Sequence, residues 1–127
     1  MSFDDWRDCL RLWLVATEEP FGTFIENALA KARHASQLSG LPALADDSGI
    51  CVPALGGAPG VQSARYAGEH ASDADNNARL LEDLQAVPDE RRGARYRCVL
   101  ALVRGPNDPA PLFAHGEWRG RIGHSAI

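Results

Sequence analysis

The spacing of hydrophobic positions divides this chain into helices and strands. A helical period begins at Thr23, which forms a capping-box pattern with Glu26. One face of the predicted helix carries small and aromatic residues at helical spacing, namely Phe24, Ala28, Ala32 and Ala35. Gly40 and Pro42 end the pattern, so we predict one amphipathic helix between Thr23 and Gly40.

The pattern then favours strands. Residues 41–45 are apolar and predict a buried strand. Residues 50–52 are expected to continue the sheet after a turn at Asp47-Ser48-Gly49. Residues 53–70 form a predicted loop that contains four glycines and two prolines.

The second half of the chain predicts a helix followed by a hairpin. Ser72 with Asp75 opens the helix, whose predicted apolar side consists of Ala74, Ala78, Leu81 and Leu84. Residues 94–103 and 112–118 are rich in strand-forming residues, and a turn at 105–111 separates them. Residues 1–17 have apolar positions near helical spacing and predict a short amphipathic helix without evident chemistry.

Composition and charge exclude several classes of protein. The chain has 127 residues, 45% of them hydrophobic, which is enough for one domain with one core. The formal net charge of -4 argues against a protein that wraps duplex nucleic acid. The apolar run at residues 12–16 is too short to span a bilayer or to direct secretion. We therefore expect neither nucleic acid nor a membrane as a partner.

The cysteine pattern indicates a reducing compartment. Cys9, Cys51 and Cys98 are odd in number, widely spaced and without a Cys-x-x-Cys pair. This pattern argues against a disulfide framework or a zinc site, and it favours the cytoplasm.

The acidic pair Asp46 and Asp47 is the first candidate for chemistry. A glycine-rich stretch at residues 56–60 and Arg65 follow it closely. Carboxylates suit a divalent cation, while backbone amides and a guanidinium suit an anion, so this combination favours metal-dependent chemistry on a phosphate ester. Taken alone, Asp-Asp-Ser-Gly is better explained as a turn. Successive strand residues point to opposite faces, so only one of the two acids need face a site.

Three other charged positions have a structural and a functional interpretation. Glu18 and Glu19 form a second acidic pair, which is either a solvated loop or the source of another metal ligand beside Asp47. Lys31 is the only lysine among thirteen basic residues, and it is either an exposed helix residue or a phosphate contact. Arg65 is either a surface ion-pair partner or an anion contact.

Four ordered blocks resemble the inosine/xanthosine triphosphate pyrophosphatase, or Ham1-like, family. They are Thr-Phe-Ile-Glu-Asn-Ala from 23 with Lys-Ala at 31–32, Ala-Asp-Asp-Ser-Gly from 45, Ala-Leu-Gly-Gly-Ala-Pro-Gly from 54 and Ser-Ala-Arg-Tyr from 63. The resemblance extends from about Glu18 to about Gly120. It implies an α/β fold of the Ham1/Maf type, with a mixed sheet flanked by helices, present here as a single partial domain over residues 1–127. Residues 1–17 differ from the family and are expected to be a divergent N-terminal segment.

The resemblance also implies a reaction and the residues that serve it. Relatives in this family hydrolyse inosine, deoxyinosine and xanthosine triphosphates to a monophosphate and pyrophosphate, use Mg²⁺, and are commonly homodimers. Asp47 matches the catalytic base and a metal ligand, with Asp46 as a second catalytic carboxylate beside it. Glu19 matches the other metal-associated acid. Ser48 and Lys31 match substrate contacts. Arg65, an anion-contact candidate by its residue type, is expected to bind the substrate with them.

Departures from the family pattern motivate an alternative function. The phosphate-holding Thr/Ser-x-Asn-x-x-Lys loop is missing before Glu18, and so are the Gly-Phe-Gly-Tyr-Asp and Ser-His-Arg blocks after Trp118. The alternative is a truncated, weakly active or inactive remnant that at most binds metal or nucleotide, or associates with itself. Because missing strands leave unpaired sheet edges, we also expect oligomerisation or poor solubility.

Overall fold

The computed structural model describes residues 22–125. Two helices and three strands lie in this range: α1 (Phe24–Ser39), β1 (Ala43–Cys51), α2 (Asp73–Asp83), β2 (Gly93–Val103) and β3 (Leu112–Arg121). The strands form one antiparallel sheet in the order β1-β2-β3. The predicted α/β class is therefore confirmed. The helix predicted within residues 1–17 lies outside the described residues.

Helix α1 forms as its sequence predicts. The Thr23 hydroxyl accepts a hydrogen bond from the amide of Glu26 at 3.3 Å, and it donates one to the Glu26 carboxylate. Gly40 ends the helix in the left-handed region, with φ of 71°, where a side chain would be strained. The buried positions include the predicted alanines and also two polar residues, Asn27 and Ser36.

Strand β1 runs straight through the sequence that predicted a turn. Residues 43–51 are all extended, so the predicted turn at Asp47-Ser48-Gly49 is wrong. Burial alternates along the strand, with Ala43, Ala45, Asp47 and Gly49 on the buried side. Pairing with β2 in the sheet keeps the backbone extended despite the turn-forming residue types. The strand starts at Ala43, not at residue 41, because Pro42 has no amide to donate to a sheet.

The chain divides into two compact units, each containing part of every strand. The first comprises the described residues 22–47 and 99–115, and the second comprises residues 48–98 and 116–125. In the first unit, α1 packs its small residues on β1 and β2, burying Ala28, Ala32, Ala35, Ala43, Ala45, Val99, Ala101 and Val103. The core of the second unit consists of Val52, Leu80, Leu84 and Ala94. Small side chains in the first core let the helix lie close to the sheet.

Helix α2 begins as predicted but buries a different face. Ser72 caps it and exchanges both capping-box hydrogen bonds with Asp75. The buried positions are Asn76, Leu80 and Leu84, whereas Ala74 and Ala78 of the predicted apolar side are exposed. The prediction failed because it required an apolar residue at each buried position, and Asn76 is polar.

Strands β2 and β3 form the predicted hairpin, although β3 continues to Arg121, beyond its expected end at Trp118. An aspartate holds the turn between them. The Asp108 carboxylate accepts hydrogen bonds from the Arg104 amide at 3.0 Å, from the Arg104 guanidinium and from the Ala110 amide at 2.9 Å. The Arg104 side chain is the main reason why the pKa of Asp108 lies well below its ordinary range.

This turn predicts a loss of stability in acid. A carboxyl whose pKa is lowered by folding stabilises the protein above its unfolded pKa, and that stabilisation is lost as the pH falls. We expect the melting temperature of the native chain to decrease when the pH is lowered past about 4. The Asp108→Asn variant should have a lower melting temperature than the native chain at pH 7. Its melting temperature should also fall less on acidification. Parallel slopes for the two proteins in a pH series of thermal unfolding would contradict this prediction.

Candidate active site

A buried ion pair in the first unit joins two residues that the sequence singled out. The Lys31 ammonium lies 3.1 Å from Asp47 Oδ1 and 3.3 Å from the main-chain oxygen of Asp46. The exposed fractions of the Lys31 and Asp47 side chains are only 11% and 3%. The interpretation of Lys31 as an exposed helix residue is therefore wrong, because its side chain is largely buried and contacts β1.

Secondary structure places these two groups with little freedom. Lys31 follows Asn27 by one helical turn, and Ala28 and Ala32 on the same helix are fully buried against the sheet. Asp47 lies on the buried side of β1, in line with Ala43 and Ala45. A rigid helix and a rigid strand therefore hold opposite charges at hydrogen-bond distance, in surroundings of lower polarity than water.

Asp46 has a different environment from its neighbour. Its side chain is half-buried and projects from the other side of β1, whereas its carbonyl oxygen contacts Lys31. One lysine thus contacts the carboxylate of Asp47 and the main chain of Asp46. The alternation predicted from the strand period is what separates the two carboxylates.

Ser48 begins the second unit on the same strand. Its hydroxyl lies 3.2 Å from the hydroxyl of Tyr96 on β2, and either group can donate. Tyr96 is about half exposed, so this pair of hydroxyls faces solvent. The arrangement gives Ser48 a fixed neighbour on an accessible face of the sheet, which suits a polar contact with a ligand.

The glycine-rich segment and Arg65 are built onto the second unit by side-chain hydrogen bonds. Gly56, Gly57 and Gly60 have φ values of 69°, 94° and 56°, which only glycine adopts readily. Residues 60–65 form a short 3-10 helix that ends at Arg65, whose side chain is half-buried. The Ser63 hydroxyl ties this helix to β1 by accepting from the Ile50 amide at 2.9 Å.

Asn76 is a positioning residue that the sequence analysis missed. Its amide donates to the Ala64 carbonyl at 3.0 Å and accepts from the Ala67 amide at 2.8 Å. It therefore fixes the main chain on both sides of Arg65. The available signal was its place one and two helical turns before Leu80 and Leu84, a row that is otherwise apolar.

The donor chemistry fits a divalent cation in part. Within residues 22–125, no group of three or more His, Cys, Asp or Glu side chains is arranged to hold a metal. Mg²⁺, however, is commonly held by one or two carboxylates, with waters and substrate phosphates completing its shell. Asp47 supplies one such hard oxygen ligand. Glu19, the second predicted ligand, lies outside the described residues. None of the described helices has the length and hydrophobicity needed to cross a membrane.

Sequence comparison connects this geometry to known proteins. The dITP/XTP pyrophosphatase of Yersinia pestis is 59% identical over 113 residues, which cover 89% of this chain and 57% of the relative. The dITP/XTP pyrophosphatase of Aromatoleum aromaticum is 66% identical over 105 residues, which cover 83% of this chain and 52% of the relative. The chain spans about half the length of the curated relatives it matches.

Solved structures show the same fold. A HAM1 protein from Coxiella burnetii superposes with a TM-score of 0.79 at 42% identity, covering 98% of this chain and 71% of that chain. The Ham1 protein of Staphylococcus aureus gives a TM-score of 0.76 at 34% identity, covering 98% of this chain and 68% of that chain. The family profile described as the Ham1 family matches residues 5–126. This chain belongs to the Ham1 family.

Proposed function

We propose that this chain carries the catalytic centre of a Mg²⁺-dependent nucleoside triphosphate pyrophosphatase. Its substrates are inosine, deoxyinosine and xanthosine triphosphates, and its products are the nucleoside monophosphate and pyrophosphate. The names of relatives such as the Yersinia pestis dITP/XTP pyrophosphatase support this substrate class. The observation that carries the proposal is the buried pair of Lys31 and Asp47.

A buried pair is an expensive way to stabilise a fold, which favours a functional reason for it. Removing two charges from water costs several kcal/mol per ion. The attraction between the two charges stabilises the pair by a similar amount. Apolar residues would fill the same space without that cost. A site that binds a cation and a polyphosphate, by contrast, needs a carboxylate and an ammonium side by side.

The proposed chemistry is water attack on the α-phosphorus. The water oxygen forms a bond to phosphorus, the bond to the bridging oxygen of the β-phosphate breaks, and pyrophosphate leaves. Asp47 accepts the proton of the attacking water. Asp46 projects from the other side of β1 and has a lesser role in the reaction. Lys31 presents its ammonium beside Asp47, where it contacts the phosphate oxygens as a point charge. Ser48 and Arg65 contact the substrate.

Asp47 and Glu19 would hold the Mg²⁺ ion of this site. When bound, the ion would neutralise phosphate charge and polarise the phosphate group toward attack. Metal coordination requires the carboxylate form of Asp47.

A release assay tests the proposal directly. Purified chain mixed with inosine triphosphate should release pyrophosphate in the presence of Mg²⁺ and fall to the background rate with a chelator. Adenosine triphosphate, measured in parallel, should be hydrolysed at least about tenfold more slowly, because the substrate class consists of nonstandard purines. Equal rates on both nucleotides would replace the proposal with an unselective phosphohydrolase.

A second candidate function is nucleotide binding with little or no turnover, because residues 22–125 bring together no group of three or more His, Cys, Asp or Glu side chains to hold a metal. Equilibrium dialysis with inosine triphosphate and Mg²⁺ separates the two candidates. Binding without pyrophosphate release identifies the remnant, whereas release at a rate similar to that of a full-length relative rejects it. The reducing cytoplasm predicted from the cysteine pattern, and assembly into a homodimer, are part of the same proposal.

A further inference from the structure

Three polar side chains of helix α2 contact the segment that contains Arg65. They are Asn76, Arg79 and Asp83, which follow one another at intervals of three and four residues and so lie on one face of the helix. Asn76 makes the main-chain hydrogen bonds on both sides of Arg65. The other two side chains both contact the residue that follows Arg65. We call these three residues the α2 clamp.

Tyr66 is held by the clamp through both its main chain and its side chain. The Arg79 guanidinium donates to the Tyr66 carbonyl oxygen, and its Cζ atom lies 4.3 Å from the centre of the Tyr66 ring. The Tyr66 hydroxyl donates to the Asp83 carboxylate, which lies 3.8 Å from Arg79 Nε. The Tyr66 ring also packs against the core of the second unit. The conformation of this residue is therefore fixed from several directions.

The contacts of Arg79 and Asp83 are poorly suited to a purely stabilising role. Their side chains are 51% and 35% exposed, and ion pairs at this degree of exposure add little to the stability of a folded protein. The apolar side of α2 is anchored separately, by Leu80 and Leu84 in the core of the second unit. What the exposed contacts do fix is the main chain of residues 64–67. This main chain sets the direction in which the Arg65 side chain leaves the backbone.

We propose that the α2 clamp is a positioning group that orients Arg65 toward the phosphates of the bound nucleoside triphosphate. The inference rests on the proposed function, in which Arg65 contacts the substrate. A guanidinium recognises phosphate through a planar fork of donors, so the strength of the contact depends on its orientation. A backbone that is held on both sides of an arginine reduces the freedom that this side chain loses when the substrate binds. Arg79 and Asp83 thus act on the substrate only through Arg65.

Steady-state kinetics of pyrophosphate release from inosine triphosphate measure this effect. Arg79→Met should raise KM about three- to tenfold and change kcat by less than about twofold, because it weakens a contact made equally in the ground and transition states. Tyr66→Phe removes only the hydroxyl and should raise KM by a smaller factor. Arg119→Met is the matched control, because it also removes the arginine of an exposed ion pair in the second unit. Its KM should equal that of the native chain. If the chain binds without turnover, the dissociation constant from equilibrium dialysis takes the place of KM.

A double-mutant cycle tests whether the clamp acts through Arg65. In an Arg65→Met background the oriented guanidinium is already lost, so adding Arg79→Met should raise KM by less than about 1.5-fold. An equal rise in both backgrounds would show that Arg79 affects the substrate independently of Arg65. That result would overturn the proposal.

Trypsin reports on the clamp without any substrate. It cleaves after arginine, and cleavage between Arg65 and Tyr66 requires the segment to leave its folded conformation. Arg79→Met should accelerate cleavage at this bond at least about threefold, whereas Arg119→Met should leave the rate unchanged. Mass spectrometry of the early fragments identifies the bond. An unchanged rate in Arg79→Met rejects the clamp, whether or not the chain hydrolyses nucleotides.

The outcomes separate this inference from the proposed function. A native chain that neither binds nor hydrolyses inosine triphosphate overturns both. A native chain that binds the nucleotide, with clamp variants that bind it equally well, overturns the inference alone. Thermal unfolding followed by circular dichroism establishes that each variant is folded. If Arg79→Met does not fold, Tyr66→Phe carries the test, because it keeps the ring that packs on the core.

Discussion

Replacing Asp47 with asparagine should reduce pyrophosphate release from inosine triphosphate by about 10²- to 10⁴-fold, the usual contribution of a general base. An amide cannot take the proton of the attacking water, and it is a much weaker ligand for Mg²⁺ than a carboxylate. Asp46→Asn is the matched control, since it makes the same chemical change one residue earlier on the other side of β1. We expect it to reduce release by less than about tenfold.

The Asp47→Asn variant also leaves Lys31 beside a neutral group. Breaking a buried ion pair by removing one partner costs about 3–5 kcal/mol, so the melting temperature must be measured with the activity. Asp47→Glu keeps the charge but moves the carboxylate by one methylene. A folded Asp47→Glu variant with strongly reduced release would assign the loss to geometry, whereas near-native release from Asp47→Asn would remove Asp47 from its proposed role.

Replacing Arg92 with methionine should lower the free energy of unfolding by about 3–5 kcal/mol, because several buried or part-buried acceptors lose a charged donor together. The Arg92 side chain is only 2% exposed. Its guanidinium donates to the main-chain oxygens of Leu84 at 2.6 Å, Ile122 at 3.1 Å and Gly123 at 2.7 Å. It therefore connects the end of α2 to the segment after β3 within the second unit.

Urea-induced unfolding at low protein concentration measures this loss. Methionine fills a similar volume, so the change reports the hydrogen bonds more than the packing. Arg91→Met, at the exposed neighbouring position, should change the free energy of unfolding by no more than about 0.5 kcal/mol. Similar midpoints for the two variants would show that the Arg92 contacts add little to stability.

The sequence predicted those elements whose signals are local. Helix α1 has a capping residue, a sustained period and a terminal glycine, and all three act on neighbouring residues. Turn propensity at Asp47-Ser48-Gly49 predicts a break in the middle of β1, where the structure has one continuous strand. These residues are extended because they pair with β2. That pairing is a long-range contact, which the sequence of β1 alone does not reveal.

The candidate site was predictable in its residue types but not in its contacts. The single lysine and the acidic pair were both selected from the sequence, and their contact at 3.1 Å joins them. The buried roles of Asn76 and Arg92 were missed, because polar and charged residues are expected at the surface unless their partners are known. Their partners are main-chain groups, which every sequence contains and which therefore give no signal.

The unbroken course of β1 also limits how the gene for this protein can vary. Because the two acids project from opposite sides of one continuous strand, deleting a single residue between Ala43 and Asp46 would exchange their surroundings. The carboxylate now beside Lys31 would move to the opposite side of β1. The side chains that now face away from the core would be turned toward the alanines of α1. Insertions and deletions in this stretch should therefore be far more harmful than most substitutions, even when the composition of the strand is unchanged.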